Sequence, residues 1–153
     1  MGHQGWTAIL PSERHDGRWA VRSMPWVRRS IESEQVSVPS ADLTLALLRL
    51  SDRSVRVASV YVEVGNAAAL YATIGLLTEA IHNARRRDGA RLHVVVAGDF
   101  NCHDQLWGGD EVLPYRQGKG DPIVDFMCEW NLGSLLPRET KTWQNRRHAS
   151  QLT

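Results

Sequence analysis

His93-Val94-Val95-Val96-Ala97-Gly98-Asp99-Phe100-Asn101 is the stretch on which the reading of this chain turns. Leu92 to Ala97 is almost continuously apolar, which predicts a central β-strand covered on both faces. The strand ends on a carboxylate and a carboxamide, and the exit of a buried strand is where layered α/β proteins place chemistry. Asp99 can bind a hard metal ion or hold and activate a water. Asn101 cannot act as a base, but its amide can donate to a phosphate oxygen. Further along the loop, His103 can contribute a proton or bond a phosphate. Gly98 and the Gly108-Gly109 pair let the backbone turn tightly around a ligand. Taken as bare composition, Asp and Asn after a strand are ordinary turn residues and a single His is polar surface. On spacing alone the turn is the stronger reading.

The neighbouring sequence supplies the layers. Leu43, Leu45 and Leu47 alternate with Thr44 and Ala46, predicting a strand with one strongly apolar face. Ser51-Asp52-Arg53-Ser54 reads as a turn, and the β-branched run from Val55 to Val62 predicts the second strand of an antiparallel hairpin. Asn66 can cap a helix whose apolar stripe is Leu70, Ile74, Leu77 and Ile81. That helix ends among Arg85, Arg86 and Arg87, charges suited to the negative end of its dipole. Beyond the polar loop, Asp121 can cap a second helix, with Pro122 in its first turn and Ile123, Phe126, Met127 and Trp130 as its buried stripe. Asn131-Leu132-Gly133 offers a stop, and Leu135-Leu136 begins a short apolar segment read as a strand. Upstream, Met1 to Ser40 shows little periodicity. Trp19-Ala20-Val21 and Pro25-Trp26-Val27 read as short strands, and Ile31 to Val38 as a charged edge strand. Helix, central strand, polar loop, helix and strand in that order indicate a layered α/β protein.

Bulk properties narrow the function classes. The chain has 153 residues, 42% of them hydrophobic, enough for one domain with a real core. A net charge of +1 provides no strong field for nucleic acid, leaving only the local runs Arg28-Arg29, Arg85-Arg86-Arg87 and Arg146-Arg147. Each run is more often a solvated helix end or loop than a binding patch. Two cysteines, Cys102 and Cys128, make neither a CxxC pair nor a zinc spacing, which fits a reduced intracellular setting. No signal-peptide core or bilayer-length apolar run is present, so no membrane role is expected.

Gly98-Asp99-Phe100-Asn101, followed by His103 and Leu106-Trp107-Gly108, resembles the endonuclease/exonuclease/phosphatase family. Ser59-Val60-Tyr61-Val62, Asp121-Pro122-Ile123-Val124-Asp125-Phe126 and Thr140-Lys141-Thr142-Trp143 extend the likeness to the endonuclease domain of non-LTR retrotransposons, the fungal type especially. The resemblance runs from about Gly5 to Trp143, leaving 144–153 as a divergent tail of a single partial domain. It implies an α/β fold, a four-layer sandwich of two β-sheets flanked by helices, incomplete here at both ends. It also implies Mg²⁺-dependent hydrolysis of DNA phosphodiesters, nicking target DNA for retrotransposition. The partners implied are DNA and, within a longer polyprotein, the reverse transcriptase domain of the same element; the location implied is intracellular, with the nucleus as the compartment where the element reaches DNA.

The resemblance also assigns residues. Asp99 is then an active-site residue at the attacking water and the metal, Asn101 bonds the scissile phosphate or helps place metal, and His103 lies beside the site. Thr140 and Thr142 approach the phosphate backbone. Trp107, with Gly98 and Gly108, shapes the loop that keeps Asp99 and Asn101 in place. Two family features have no counterpart: the early Asn followed by a metal-holding Glu, and the terminal Asp with its Ser-Asp-His segment. Glu32 and Glu34 lie in the wrong context, and His148 lacks the partners. The expectation is therefore a fragment with weak Mg²⁺ binding through Asp99 and little activity alone. The alternatives are a non-catalytic relic with weak nucleic-acid binding through its Arg runs, and a phosphatase of the same fold.

Overall fold

The computed structural model describes residues 4–17, 20–89, 92–116 and 118–140. They divide into two compact units, one up to Asn101 and one from Cys102 onward.

The first unit is built on a four-stranded sheet. Its strands are β3 (Glu32–Val36), β4 (Leu43–Arg49), β5 (Ser54–Tyr61) and β6 (Leu92–Asp99), in that spatial order. β4 runs antiparallel to both β3 and β5, and its pairing with β5 is the expected hairpin. β6 pairs parallel to β5, so the chain must cross over between them. The crossover is α1 (Ala67–Asp88). Its start follows the predicted chemistry, with Asn66 accepting from the Ala69 backbone N–H at 3.0 Å. Gly89, at φ 59°, closes the last turn after the three arginines. Leu70, Leu77, Ile81 and Ala84 are buried along its inner stripe. Leu47 of β4, Ala84 of α1 and Leu92 of β6 share one core cluster, so α1 covers one face of the sheet.

A two-stranded ribbon, β1 (Trp6–Ala8) with β2 (Trp26–Arg28), covers the other face. Ile9 and Val27 pack there on Ala46, with Ile31 and Leu48 at the margin. Double coverage therefore falls on β4, where Leu43 to Leu47 are all buried, and not on β6. Thr44 and Ala46 made β4 look one-sided, yet their small side chains are what allow the ribbon to come close. The central-strand expectation for Leu92–Ala97 is corrected accordingly. Among the described residues β6 is an edge strand paired only with β5, and Val94, Val95 and Val96 are half-buried. Continuous hydrophobicity marks a strand with two apolar faces but does not count its neighbours. Ile31–Val38 holds as an edge strand over Glu32–Val36, while the first short strand falls at Trp6–Ala8. Trp19 of the Trp19-Ala20-Val21 expectation lies outside the described residues, and Ala20 and Val21 are not in a strand.

The second unit holds the short α2 (Gln105–Gly108) and α3 (Asp121–Trp130). Ile123, Phe126 and Trp130 are buried as predicted, and Met127 is half-buried. Asp121 is not the cap. Gly120 occupies that position without a side-chain bond, and Asp121 and Pro122 form the first turn, where a carboxylate still complements the helix dipole. Asn131, left-handed at φ 52°, ends α3. Leu135 and Leu136 are exposed in a bend, and the strand expected there is absent from the described residues. Two adjacent leucines carry no period, which is why the pattern misled.

Leu77 is 1% exposed at the middle of the α1 stripe. Leu77→Ala is expected to cost about 2–5 kcal/mol, read as a lower denaturant midpoint at unchanged slope.

Candidate functional site

Asp99 is the last residue of β6, and the parallel register sets it beside Tyr61, the last residue of β5. The Tyr61 N–H in turn donates to the Asp42 carbonyl at 2.9 Å, just ahead of β4. Asp42, Tyr61 and Asp99 thus form a row across three strand ends, neighbours about 4.8 Å apart. Gly98 makes this row possible. At φ 152°, its Cα lies so close to the Val60 carbonyl that a Cβ would fall well inside van der Waals contact. Only glycine lets the strand reach this register while turning into the loop.

The loop is then locked locally. The Asn101 backbone N–H donates to Asp99 Oδ1 at 3.0 Å, an Asx turn that orients the carboxylate. Asn101 itself is left-handed at φ 50°. Its Nδ2 donates to the Val62 carbonyl at 2.7 Å, while the Val62 N–H donates to the Asp99 carbonyl at 2.8 Å. Asn101 is therefore a brace between the two strand exits, and its side-chain oxygen stays available as an acceptor. Asp99 is exposed.

Tyr61 received no role from sequence reasoning. It sat inside the Ser59–Val62 motif, but a tyrosine ending an alternating strand looks like any half-buried aromatic. Only the pairing with Asp99 places it in the row at the strand ends. Arg22 lies over its ring, the guanidinium carbon 4.7 Å from the centroid. The hydrogen bonding it donates to Asp42 raises the Arg22 guanidinium further above its already high range, with burial opposing and the charge of Asp42, then the ionised phenol of Tyr61 and Glu63, assisting. Glu63 accepts from Asn66 Nδ2 at 3.2 Å.

His103, Trp107 and Gly108 fall in the second unit. His103 is exposed, and its Nε2 lies 3.1 Å from Arg116 Nη1, which assigns that nitrogen as the acceptor. Trp107 is structural within this unit: its Nε1 donates to the Cys102 carbonyl at 3.2 Å, and its own carbonyl accepts from the Glu139 N–H at 2.7 Å. Its ring lies against Gly120, where a Cβ would collide with it. Asp104 caps α2 through the Leu106 N–H at 2.9 Å. Gly108 has ordinary helical angles, and the sharp turn belongs to Gly109 at φ 71°. Thr140 is exposed, with its hydroxyl donated to the Pro137 carbonyl at 2.6 Å. Thr142, Trp143 and the Arg146-Arg147 run lie outside the described residues. Arg85, Arg86 and Arg87 are exposed where α1 ends, just ahead of the start of β6. The eight residues of β6 separate that end from Asp99 by about 23 Å.

The donor set does not fit a self-sufficient Mg²⁺ site. Mg²⁺ takes about six oxygens, one or two from carboxylates and the rest from water and substrate. Asp99 contributes one carboxylate, Asp42 is bound by Arg22, and among the described residues no three His, Cys, Asp or Glu side chains cluster to hold a metal ion. No helix among the described residues is long and apolar enough to cross a membrane.

Residues 55–152 match the model of the endonuclease-reverse transcriptase family, and the chain belongs to that family. The solved endonuclease domain of TRAS1, a telomere-specific non-LTR retrotransposon, shares the fold, with a TM-score of 0.71 at 19% identity. The likeness covers 96% of this chain but 62% of that one, so this chain spans less than two thirds of the solved domain. No curated protein matches.

Two substitutions test the brace. Gly98→Ala is expected to lower the melting temperature and broaden the Asp99 and Asn101 amide signals in NMR. Asn101→Gly keeps the left-handed backbone and loses only the side-chain bond, so it is expected to be milder than Asn101→Ala by about 1 kcal/mol in chemical denaturation.

Proposed function

We propose that this chain is part of a Mg²⁺-dependent DNA endonuclease that nicks target DNA for reverse transcription, and that these 153 residues have little nuclease activity alone. The observation that carries the reading is the convergence of Asp99, its brace Asn101 and the phenol of Tyr61 at paired strand ends, on the fold of a retrotransposon endonuclease domain.

Hydrolysis of a phosphodiester needs a group to orient and deprotonate water and donors for the charge that grows on the phosphoryl oxygens. In this reading Asp99 is the first, since its exposed carboxylate is pre-oriented by the Asn101 N–H. Tyr61 supplies one neutral donor. His103, Thr140 and Thr142 keep the supporting roles that the family resemblance implies. DNA is the substrate, the reverse transcriptase of the same element is the partner, and the nucleus is where the two meet.

Low activity follows from the chemistry of the donors. The Arg22 guanidinium over the row is committed to Asp42, which leaves its positive charge neutralised for a transition state. Each missing donor of this kind costs about 3–4 kcal/mol, or 10²–10³ in rate. The metal belongs to the proposal through the family. Asp99 is its one available carboxylate ligand at the row, so Mg²⁺ binding is weak.

Supercoiled plasmid incubated with the chain and Mg²⁺ is expected to stay supercoiled. Robust nicking that vanishes in Asp99→Ala would overturn the claim of low activity, and nicking that survives Asp99→Ala would remove Asp99 from the site. Calorimetric titration with Mg²⁺ is expected to give millimolar-range binding at best, lost in Asp99→Asn.

A non-catalytic relic that holds DNA through Arg85, Arg86 and Arg87 is the second reading, favoured by their shared exposure. Its DNA affinity would fall steeply with salt and ignore Asp99→Ala.

A further inference from the structure

Arg22, Asp42 and His15 form a cluster that the nuclease reading leaves without a task. Arg22 grips Asp42 with two bonds, Nε to Oδ1 at 2.8 Å and Nη2 to Oδ2 at 2.6 Å. His15 Nε2 lies 2.8 Å from Asp42 Oδ1 and 2.6 Å from Arg22 Nη2. One ring nitrogen can donate to the carboxylate or accept from the guanidinium, not both at once. The Arg22 grip does not depend on that choice, because both of its bonds end on Asp42.

The backbone on either side of the fork is also tied down. Ser23 Oγ and Thr44 Oγ1 are 3.0 Å apart in a fully buried pair, and the Met24 N–H donates to Ser59 Oγ at 3.1 Å. Asp42 is bonded through its carbonyl to the N–H of Tyr61 itself. Arg22 is thus held at its backbone and at its fork, both anchored to the strands that end in the row. Its flat guanidinium lies over the one ring in that row. An ordinary surface ion pair has neither the fork geometry nor the stacked aromatic.

We infer that Arg22 is a positioning residue, which sets the orientation of the Tyr61 ring beside Asp99 by stacking on its face while Asp42 holds the guanidinium in plane. A phenol at a strand end has free rotation about two bonds, and without a plate on its face it samples several rotamers. The clamp holds one of them. The cluster is a device for the row at the strand ends rather than a binding site of its own, since its one carboxylate and its one permanent cation neutralise each other. The use made of the fixed ring rests on the nuclease reading, whereas the fixing itself does not.

The chain has three tyrosines, so selective ¹³C labelling of tyrosine rings gives a spectrum in which Tyr61→Phe identifies one signal directly. The 153-residue chain is compared with Arg22→Gln, Arg22→Lys and Asp42→Asn. Arg22→Gln is expected to shift the Tyr61 signal and erase its single-rotamer couplings while those of Tyr71 and Tyr115 stay put. Arg22→Lys keeps the charge but not the fork, and falls between the two. If Arg22→Gln fails to fold by circular dichroism, Asp42→Asn tests the same clamp from its other side. A Tyr61 ring that keeps its shift and couplings in folded Arg22→Gln or folded Asp42→Asn overturns the inference. DNA binding by fluorescence anisotropy, with a short duplex as the probe, then separates the two levels. Tyr61→Phe should weaken binding in the wild-type background and add nothing in the Arg22→Gln background. Additive losses refute the positioning role. A wild-type chain that binds no duplex sinks the nuclease reading and leaves the ring result standing.

Discussion

The contact between Gly98 and the Val60 carbonyl is the constraint on which the candidate site depends. β5 and β6 are parallel, so both end at the same edge of the sheet, and a parallel pair can place two side chains side by side at an exit without a hairpin turn between them. That benefit is kept only if the register holds to the last residue while the chain already bends away. A Cβ at position 98 would push the strands apart at that point. With glycine there, Tyr61 and Asp99 remain paired, the Val62 N–H still reaches the Asp99 carbonyl, and Asn101 can turn back to Val62.

Each layer contributes to that arrangement. α1 covers one face and, as the crossover, makes the parallel pairing possible. The β1–β2 ribbon covers the other face, and the chain that leads into it carries Arg22, Ser23 and Met24 across the ends of β4 and β5. β4, buried on both sides, is the true centre of the unit. The site therefore sits at the rim of a well-packed sheet while its own groups remain exposed or half-buried.

The chemistry of the rim is unbalanced. It offers a carboxylate that is held in place by a backbone N–H and a brace made of a carboxamide, but the Arg22 guanidinium stacked on its tyrosine is neutralised by Asp42. The chain belongs to the endonuclease-reverse transcriptase family, and its likeness to the solved TRAS1 domain covers 62% of that domain.

Much of this was legible in the residues. The alternation of Leu43, Leu45 and Leu47, the stripe on α1, the Asn66 cap and the Gly-Asp-Phe-Asn exit are local signals, and local backbone physics decides them. The sequence by itself therefore determined the main elements of the sheet and its crossover helix, and pointed to Asp99 and Asn101. It misjudged what depends on neighbours far along the chain. β6 reads as central but lies at an edge of the described sheet, and β4 reads as one-sided but is covered twice. That Asn101 also braces the two strand exits through Val62 has no local signal. Tyr61 and Arg22, 39 positions apart, meet only through packing of the ribbon segment on the strand ends. Hydrophobic period and turn chemistry act over a few residues, whereas which faces are covered, which ends align and which side chains stack are set by long-range pairing, and only the tertiary structure decides those.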